Sequence, residues 1–232
     1  MTGSRLWIAY DFVTAAEALA MLDTIVERNP DPEIIHEIGR PTLLNAVLEG
    51  VPIVSEFRKR LTNGQTLVAD FKGFDVPYLA EAKYYYAAGA DLVTVMATAP
   101  DEAISEAVEG AQADGKLVAF DLMSHQDDAA KADRARQIVA DGAKLISCHT
   151  GWSEQATGKS PQALLTLVYT ALRETDAQLI AMGGLKPTDV PRLAPYAATG
   201  HLFAVVAGSA ITRADDPNAV IEAFQHELAR LA

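Results

Sequence analysis

Eight short apolar runs, rich in β-branched residues, recur along this chain at intervals of about 28 residues. They are LWIAYDF (6–12), EIIHEIG (33–39), TLVADFK (66–72), DLVTVMA (91–97), KLVAFDL (116–122), KLISCHT (144–150), QLIAMGG (178–184) and LFAVVAG (202–208). A strand that is apolar on both faces belongs in a parallel sheet covered by helices. The intervening segments have helical spacing. TAAEALAMLDTIVER puts Ala15, Leu19, Leu22 and Ile25 on one stripe, with Glu17, Asp23 and Glu27 outside. In DDAAKADRARQIVADGA, Gly142 stands ready as a C-terminal cap, and Pro161 suits the first turn of the helix in SPQALLTLVYTALRE. Segment 42–62 contains Pro52 and is read as two helices or one kinked helix.

Eight strand–helix units in 232 residues are the arithmetic of a (β/α)₈ TIM barrel, whose usual size is about 250 residues. An open doubly wound sheet competes, but it rarely uses so many even units. No linker-like or low-complexity stretch interrupts the pattern, so residues 1–232 are read as one domain.

Composition excludes several partners. A net charge of −12 argues against nucleic acid, whose phosphates need a basic surface. No stretch approaches the about 20 apolar residues of a membrane span. MTGSRLWIAYD lacks the apolar region and cleavage site of a leader. The single cysteine, Cys148, forbids an internal disulfide and a multi-cysteine metal site. A cytoplasmic protein is expected.

In such barrels the chemistry sits at the C-terminal ends of the strands. Here those ends carry Asp11, Glu37, Asp70 with Lys72, Asp121 and His149, on strands one, two, three, five and six. Any one of these charges alone is more often a rim residue paired with a helix end. Their convergence on one mouth is harder to explain that way, because buried carboxylates are costly without a balancing cation. Lys72 is the only lysine among them, so a divalent metal is expected to complete the balance. Glu37 and Asp70, on adjacent strands, offer hard oxygen ligands suited to Mg²⁺.

Strands seven and eight end instead in AMGG and VAGSA. Gly183, Gly184, Gly208 and Ser209 stand where barrels of this kind bind phosphate through backbone N–H groups. Tight-turn glycines are the plain alternative for either pair alone. Together they point to a small phosphorylated substrate.

The segment DFKGFD (70–75) fits the D-x-K-x-x-D motif of the orotidine monophosphate decarboxylase suprafamily of (β/α)₈ barrels. EIGRP (37–41), GADLVTV (89–95), CHTGWSEQATG (148–158), GGL (183–185) and GSAITRADDP (208–217) resemble its branch containing 3-hexulose-6-phosphate synthase and 3-keto-L-gulonate-6-phosphate decarboxylase. The resemblance spans the chain from the first strand to the last helix. Glu37 stands where the orotidine enzymes carry a lysine, which disfavours that activity. Trp152 and Ser209 stand where the gulonate enzymes carry arginines, which favours the synthase. Ser153 replaces the aspartate usual in the synthases.

The resemblance implies an Mg²⁺-dependent lyase or aldolase that stabilises a 1,2-enediolate of a ketose phosphate. It assigns Mg²⁺ to Glu37 and Asp70, the enediolate oxygen to Lys72, a substrate hydroxyl to Asp11 and proton transfer to His149. It also sends Asp75 into the site of a partner subunit, making the active unit a homodimer. A pentulose-phosphate epimerase is weakened by the single strand-end histidine. A non-catalytic sugar-phosphate-binding barrel is weakened by the complete set of charged groups. Cys148 and His36 are expected to face the helices. Trp152 is read evenly as lining or covering the pocket. Tyr84, Tyr85 and Tyr86 cannot all point inward, so those outside the core lie either in an interface or simply at the surface, while His125 and His201 are given no role.

Overall fold

Eight parallel strands follow one another around a closed barrel: β1 (Arg5–Tyr10), β2 (Ile35–Ile38), β3 (Thr66–Gly73), β4 (Leu92–Met96), β5 (Leu117–Asp121), β6 (Leu145–His149), β7 (Gln178–Met182) and β8 (Leu202–Ala207). The ring closes where β1 pairs with β8, Trp7 lying opposite Val206. In this computed structural model the described residues are 3–62, 64–74, 78–124 and 126–231, with backbone alone at 78–80. Asp75 and His125 lie outside them. Among them no helix is long and apolar enough to cross a membrane.

The longer helices outside the barrel are α1 (Ala15–Arg28), α2 (Arg40–Leu48), α3 (Ile53–Arg60), α4 (Tyr78–Ala87), α5 (Asp101–Ala113), α6 (Asp128–Ala140), α8 (Gln162–Leu172) and α11 (Pro217–Ala229). Pro52 does divide 42–62, and α2 and α3 are separate helices. Three further short helices, α7 (Trp152–Gln155), α9 (Ala194–Ala197) and α10 (Ser209–Thr212), and a 3-10 helix (Pro187–Leu193) sit in the connections after β6, β7 and β8. A strict count of eight helices misses them, because single turns leave no hydrophobic period to read.

Side-chain parity separates two cores. On β1, Leu6, Ile8 and Tyr10 pack outward against the helices, while Trp7 and Ala9 point into the barrel. The interior layer continues with Ile35, Val68, Leu92, Ala119, Leu145 and Ile180. Glu37, Asp70, Lys72 and Asp121 extend this inward parity past the apolar layers, to the C-terminal mouth. Cys148 and His36 have the opposite parity. Cys148 is buried among the outer apolar residues, and its thiol pKa is raised by that burial. His36 stacks on Tyr10 and takes a 2.9 Å hydrogen bond between Nδ1 and the Tyr10 hydroxyl; burial lowers its pKa to about 3.

β3 is irregular at the point that matters. Val68 and Ala69 pair with Leu92 and Val93, but the next partner of Val95 is Gly73. Asp70, Phe71 and Lys72 therefore bulge opposite Thr94, and Lys72 takes a left-handed φ of 51°. Bulges re-aim side chains beside functional sites.

Candidate active site

The bulge is held by one hydroxyl. Thr94 Oγ1 accepts from the backbone N–H of Lys72 at 3.1 Å and donates to Asp70 Oδ1 at 2.7 Å. The left-handed turn at Lys72 accompanies a side chain folded back over its own strand, with Nζ donating to Asp70 Oδ1 at 3.0 Å. Nζ also reaches across the barrel to Asp121 Oδ2 at 2.7 Å. That same oxygen meets His149 Nδ1 at 2.8 Å, and Asp121 Oδ1 accepts from the backbone N–H of Met123 at 2.8 Å. Four side chains from β3, β5 and β6 thus form one chain of contacts, Asp70–Lys72–Asp121–His149.

Its electrostatics follow from the partners. Burial alone would lower the Lys72 pKa, but the carboxylates of Asp121, Asp70 and Glu37 outweigh it and hold the ammonium above the ordinary lysine value. Burial would likewise raise Asp121, yet His149 and Lys72 hold its carboxyl below the usual range. An ionised Asp121 accepting from His149 places a proton on Nδ1. Nε2 then has no protein partner among the described residues.

Glu37 lies on the other side of Asp70. It is buried, and burial, then the charges of Asp70 and Asp11, raise its pKa well above the ordinary value. Its Oε2 accepts a hydrogen bond from the indole N–H of Trp7. No protein group hydrogen-bonds Glu37 Oε1 or Asp70 Oδ2 among the described residues. One oxygen from each of two adjacent strands is therefore available to a hard cation, while Lys72 and His149 leave the surrounding carboxylates underbalanced. This donor set fits Mg²⁺, which commonly takes one or two protein carboxylates and completes its shell with substrate and water. Among the described residues, no three His, Cys, Asp or Glu side chains gather at ligand spacing.

Asp11 occupies the space that Gly39 leaves, since a Cβ there would stand 2.0 Å from Asp11 Oδ1. Burial, then Asp70, raises its pKa, opposed by Lys72, His149 and Arg213. Its Oδ2 also comes within 3.7 Å of a Cβ built on Gly208, so Asp11 links the charged cluster to the glycine that ends β8. Gly183 and Gly184 have φ of 120° and 67°. Side chains there would meet Thr150 O at 2.6 Å and Gln155 Oε1 at 2.7 Å. Gln155 Nε2 donates to Thr150 O at 2.7 Å, tying this turn to the segment after His149. A cavity of about 260 Å³ opens beside the turn, lined in part by Gln155, Lys159 and Arg192. A larger one, about 450 Å³, lies at the opposite end of the barrel by Arg58, Gln65 and Asp91. It is remote from every group described above.

The model of the orotidine 5'-phosphate decarboxylase / HUMPS family matches residues 4–224. The chain belongs to this family. Among its relatives within it, the 3-hexulose-6-phosphate synthase of Staphylococcus epidermidis is 34% identical over 215 residues, 92% of this chain and 93% of the relative. That of Mycobacterium gastri is 33% identical over 225 residues, 97% and 100% of the two chains. The crystal structure of 3-hexulose-6-phosphate synthase from Salmonella typhimurium superposes with a TM-score of 0.83 at 28% identity, over 98% of this chain and 100% of that one.

Sequence reasoning brought Asp11, Glu37, Asp70, Lys72 and His149 to one mouth, and the structure places all five there. Ser209 is exposed beside Gly208. Asp75 lies outside the described residues. Trp152 is 68% exposed, so it does not pack into the barrel. Three residues were missed or left without a role in this family member: Trp7, Thr94 and Asp121. Parity offers the signal, because each stands an even number of places from an inward-facing neighbour: Ala9, Leu92 and Ala119. What it does not show is the contact each makes across strands.

Proposed function

We propose that this chain is an Mg²⁺-dependent carbon–carbon lyase of ketose phosphates, acting as a 3-hexulose-6-phosphate synthase on ribulose 5-phosphate and formaldehyde. The observation that carries the reading is the Asp70–Lys72–Asp121–His149 chain beside the two unclaimed oxygens of Glu37 and Asp70. It supplies a fixed cation, a relay for one proton and a seat for a hard metal in one mouth. The similarity to the Staphylococcus epidermidis and Mycobacterium gastri synthases supports the choice of substrate.

Glu37 and Asp70 would hold the metal, which when bound would supply stabilisation of the negative charge that develops on the substrate. His149 Nε2 takes a proton from C1 of ribulose 5-phosphate, while Asp121 supports the imidazolium through Nδ1. Lys72, kept cationic by Asp121 and Asp70, donates to the developing enediolate oxygen. The C1 carbanion equivalent then bonds to the formaldehyde carbon. As this bond forms, the C2 carbonyl of the pentulose is restored, and the formaldehyde oxygen collects the proton that His149 carried, so atoms and charge balance. Asp11 orients a substrate hydroxyl. Gly183, Gly184, Gly208 and Ser209 receive the phosphate.

The whole of residues 1–232 serves as one barrel domain, working in the cytoplasm on a small sugar phosphate. The active unit is a homodimer in which Asp75 reaches the neighbouring site. Val13 and the α2 residues Leu44, Val47 and Leu48 are exposed, as are Phe74 and Tyr84. Such surfaces suit an interface between copies.

The test is formaldehyde consumption with ribulose 5-phosphate and Mg²⁺, with release of CO₂ from 3-keto-L-gulonate 6-phosphate assayed in parallel. Formaldehyde loss dependent on all three components is expected. Turnover of the gulonate alone would reassign the reaction, and turnover of neither would reject it. Lys72→Ala should abolish exchange of the C1 proton with solvent, and unchanged exchange would remove Lys72 from its role.

A further inference from the structure

Trp7 has no place in the reaction so far described. It is fully buried, yet its one polar atom is spent on a carboxylate rather than on backbone or water. The register explains how it gets there. Trp7 pairs with Ile35 and Ala9 with Glu37, so the indole starts one inward layer below Glu37. Ala9 has no reach, which leaves that layer open for the indole to extend upward along the barrel interior.

Like the Thr94 hydroxyl on Asp70, and unlike the Lys72 ammonium, this donor carries no charge. Lys72 both orients and neutralises Asp70 and Asp121. An indole N–H orients a carboxylate and leaves its charge intact. Placed on Oε2, it engages that oxygen and leaves Oε1 without a protein hydrogen bond among the described residues. Groups that hydrogen-bond a metal's ligands fix their orientation and are felt strongly in affinity.

We propose that Trp7 is the positioning residue of the metal site, setting Glu37 to bind a divalent cation through Oε1 alone. This rests on the metal reading given above, and Trp7 touches neither metal nor substrate. The indole is also a built-in reporter, since its hydrogen bond ends on an atom bonded to the ligand carbon. A cation drawing charge from the carboxylate weakens that bond and shifts the emission of Trp7.

The chain has two tryptophans, so Trp152→Phe isolates the signal of Trp7. Mg²⁺, alone and with ribulose 5-phosphate, is titrated into this protein by fluorescence and by calorimetry. A saturable change in Trp7 emission with the calorimetric midpoint is expected, and it should vanish in Trp152→Phe/Glu37→Gln. Mg²⁺ bound by calorimetry with emission unchanged would overturn the proposal while leaving the metal reading in place. No Mg²⁺ bound in either titration would end both. In Trp7→Phe, Mg²⁺ affinity should fall by about 10- to 100-fold, with Trp152 emission and circular dichroism reporting the fold. A folded variant with unaltered affinity would overturn the proposal, and if this variant does not fold, the titration of the native indole decides.

Discussion

One carboxylate, that of Asp121, meets three donors: the Lys72 ammonium, the His149 ring and the Met123 backbone. Asp121→Asn keeps the shape but removes the charge that binds Lys72 and His149 together. C1-proton exchange should drop by about 10²- to 10³-fold, and wild-type rates in the variant would show that Asp121 is only structural. Stability should follow the pKa. The folded-state value lies below the ordinary one, so the stabilisation is complete above the unfolded carboxyl range and is lost as pH falls below about 4. The Asn variant should lack that acid-side loss. Glu37 has the opposite sign. Its folded pKa lies above the ordinary value, so stability declines as pH rises from about 4.3 toward the folded value. Metal-free Glu37→Gln should therefore melt higher than wild type at pH 8 and nearly equally at pH 4. Each kcal/mol relieved should appear as about 2–4 °C. Mg²⁺ should raise the melting temperature of wild type alone. Parallel melting curves across the pH range would contradict the cost assigned to this carboxyl.

At the scale of elements, the site depends on where strands stop being regular. The β3 bulge turns Lys72 back toward Asp70, and Thr94 on β4 holds both through one hydroxyl. At the far side of the mouth, β7 gives way to two consecutive left-handed glycines. Gly183→Ala combines a disfavoured φ with a Cβ only 2.6 Å from a backbone oxygen that cannot retreat. It should raise KM for ribulose 5-phosphate by about 10-fold or more, with melting lowered by several degrees. Gly200→Ala is the control, because its φ is 77° but nothing lies within 4 Å of the added carbon. It should cost about 1 kcal/mol of stability and leave KM alone. Equal KM values for the two variants would detach the Gly183 turn from phosphate binding.

For the whole molecule, the proposed sharing of Asp75 between two subunits makes a prediction that no single chain can satisfy. Lys72→Ala and Asp75→Ala homodimers should both be inactive. After mixing and exchange, half of the dimers are hybrids, each with one intact site, so activity should return to about one quarter of wild type. Recovery of none would place Asp75 in its own subunit's site. The amino-acid sequence by itself pointed to the barrel, because apolar runs buried on both faces call for a parallel sheet wrapped by helices, and eight even units suit a closed sheet better than an open one. It also showed at which end the charged groups gather, since Asp11, Glu37, Asp70, Lys72 and His149 all stand where apolar strands end. Cys148 and His36 were legible as outward-facing for the same reason, parity along one strand. Only the tertiary structure decided that Asp121 joins Lys72 to His149, that Thr94 grips a bulge, and that the Trp7 indole donates to Glu37. Those contacts run between strands that are distant in sequence, and their geometry depends on register and on a local irregularity. Periodicity records which way a side chain points, and not what it meets there.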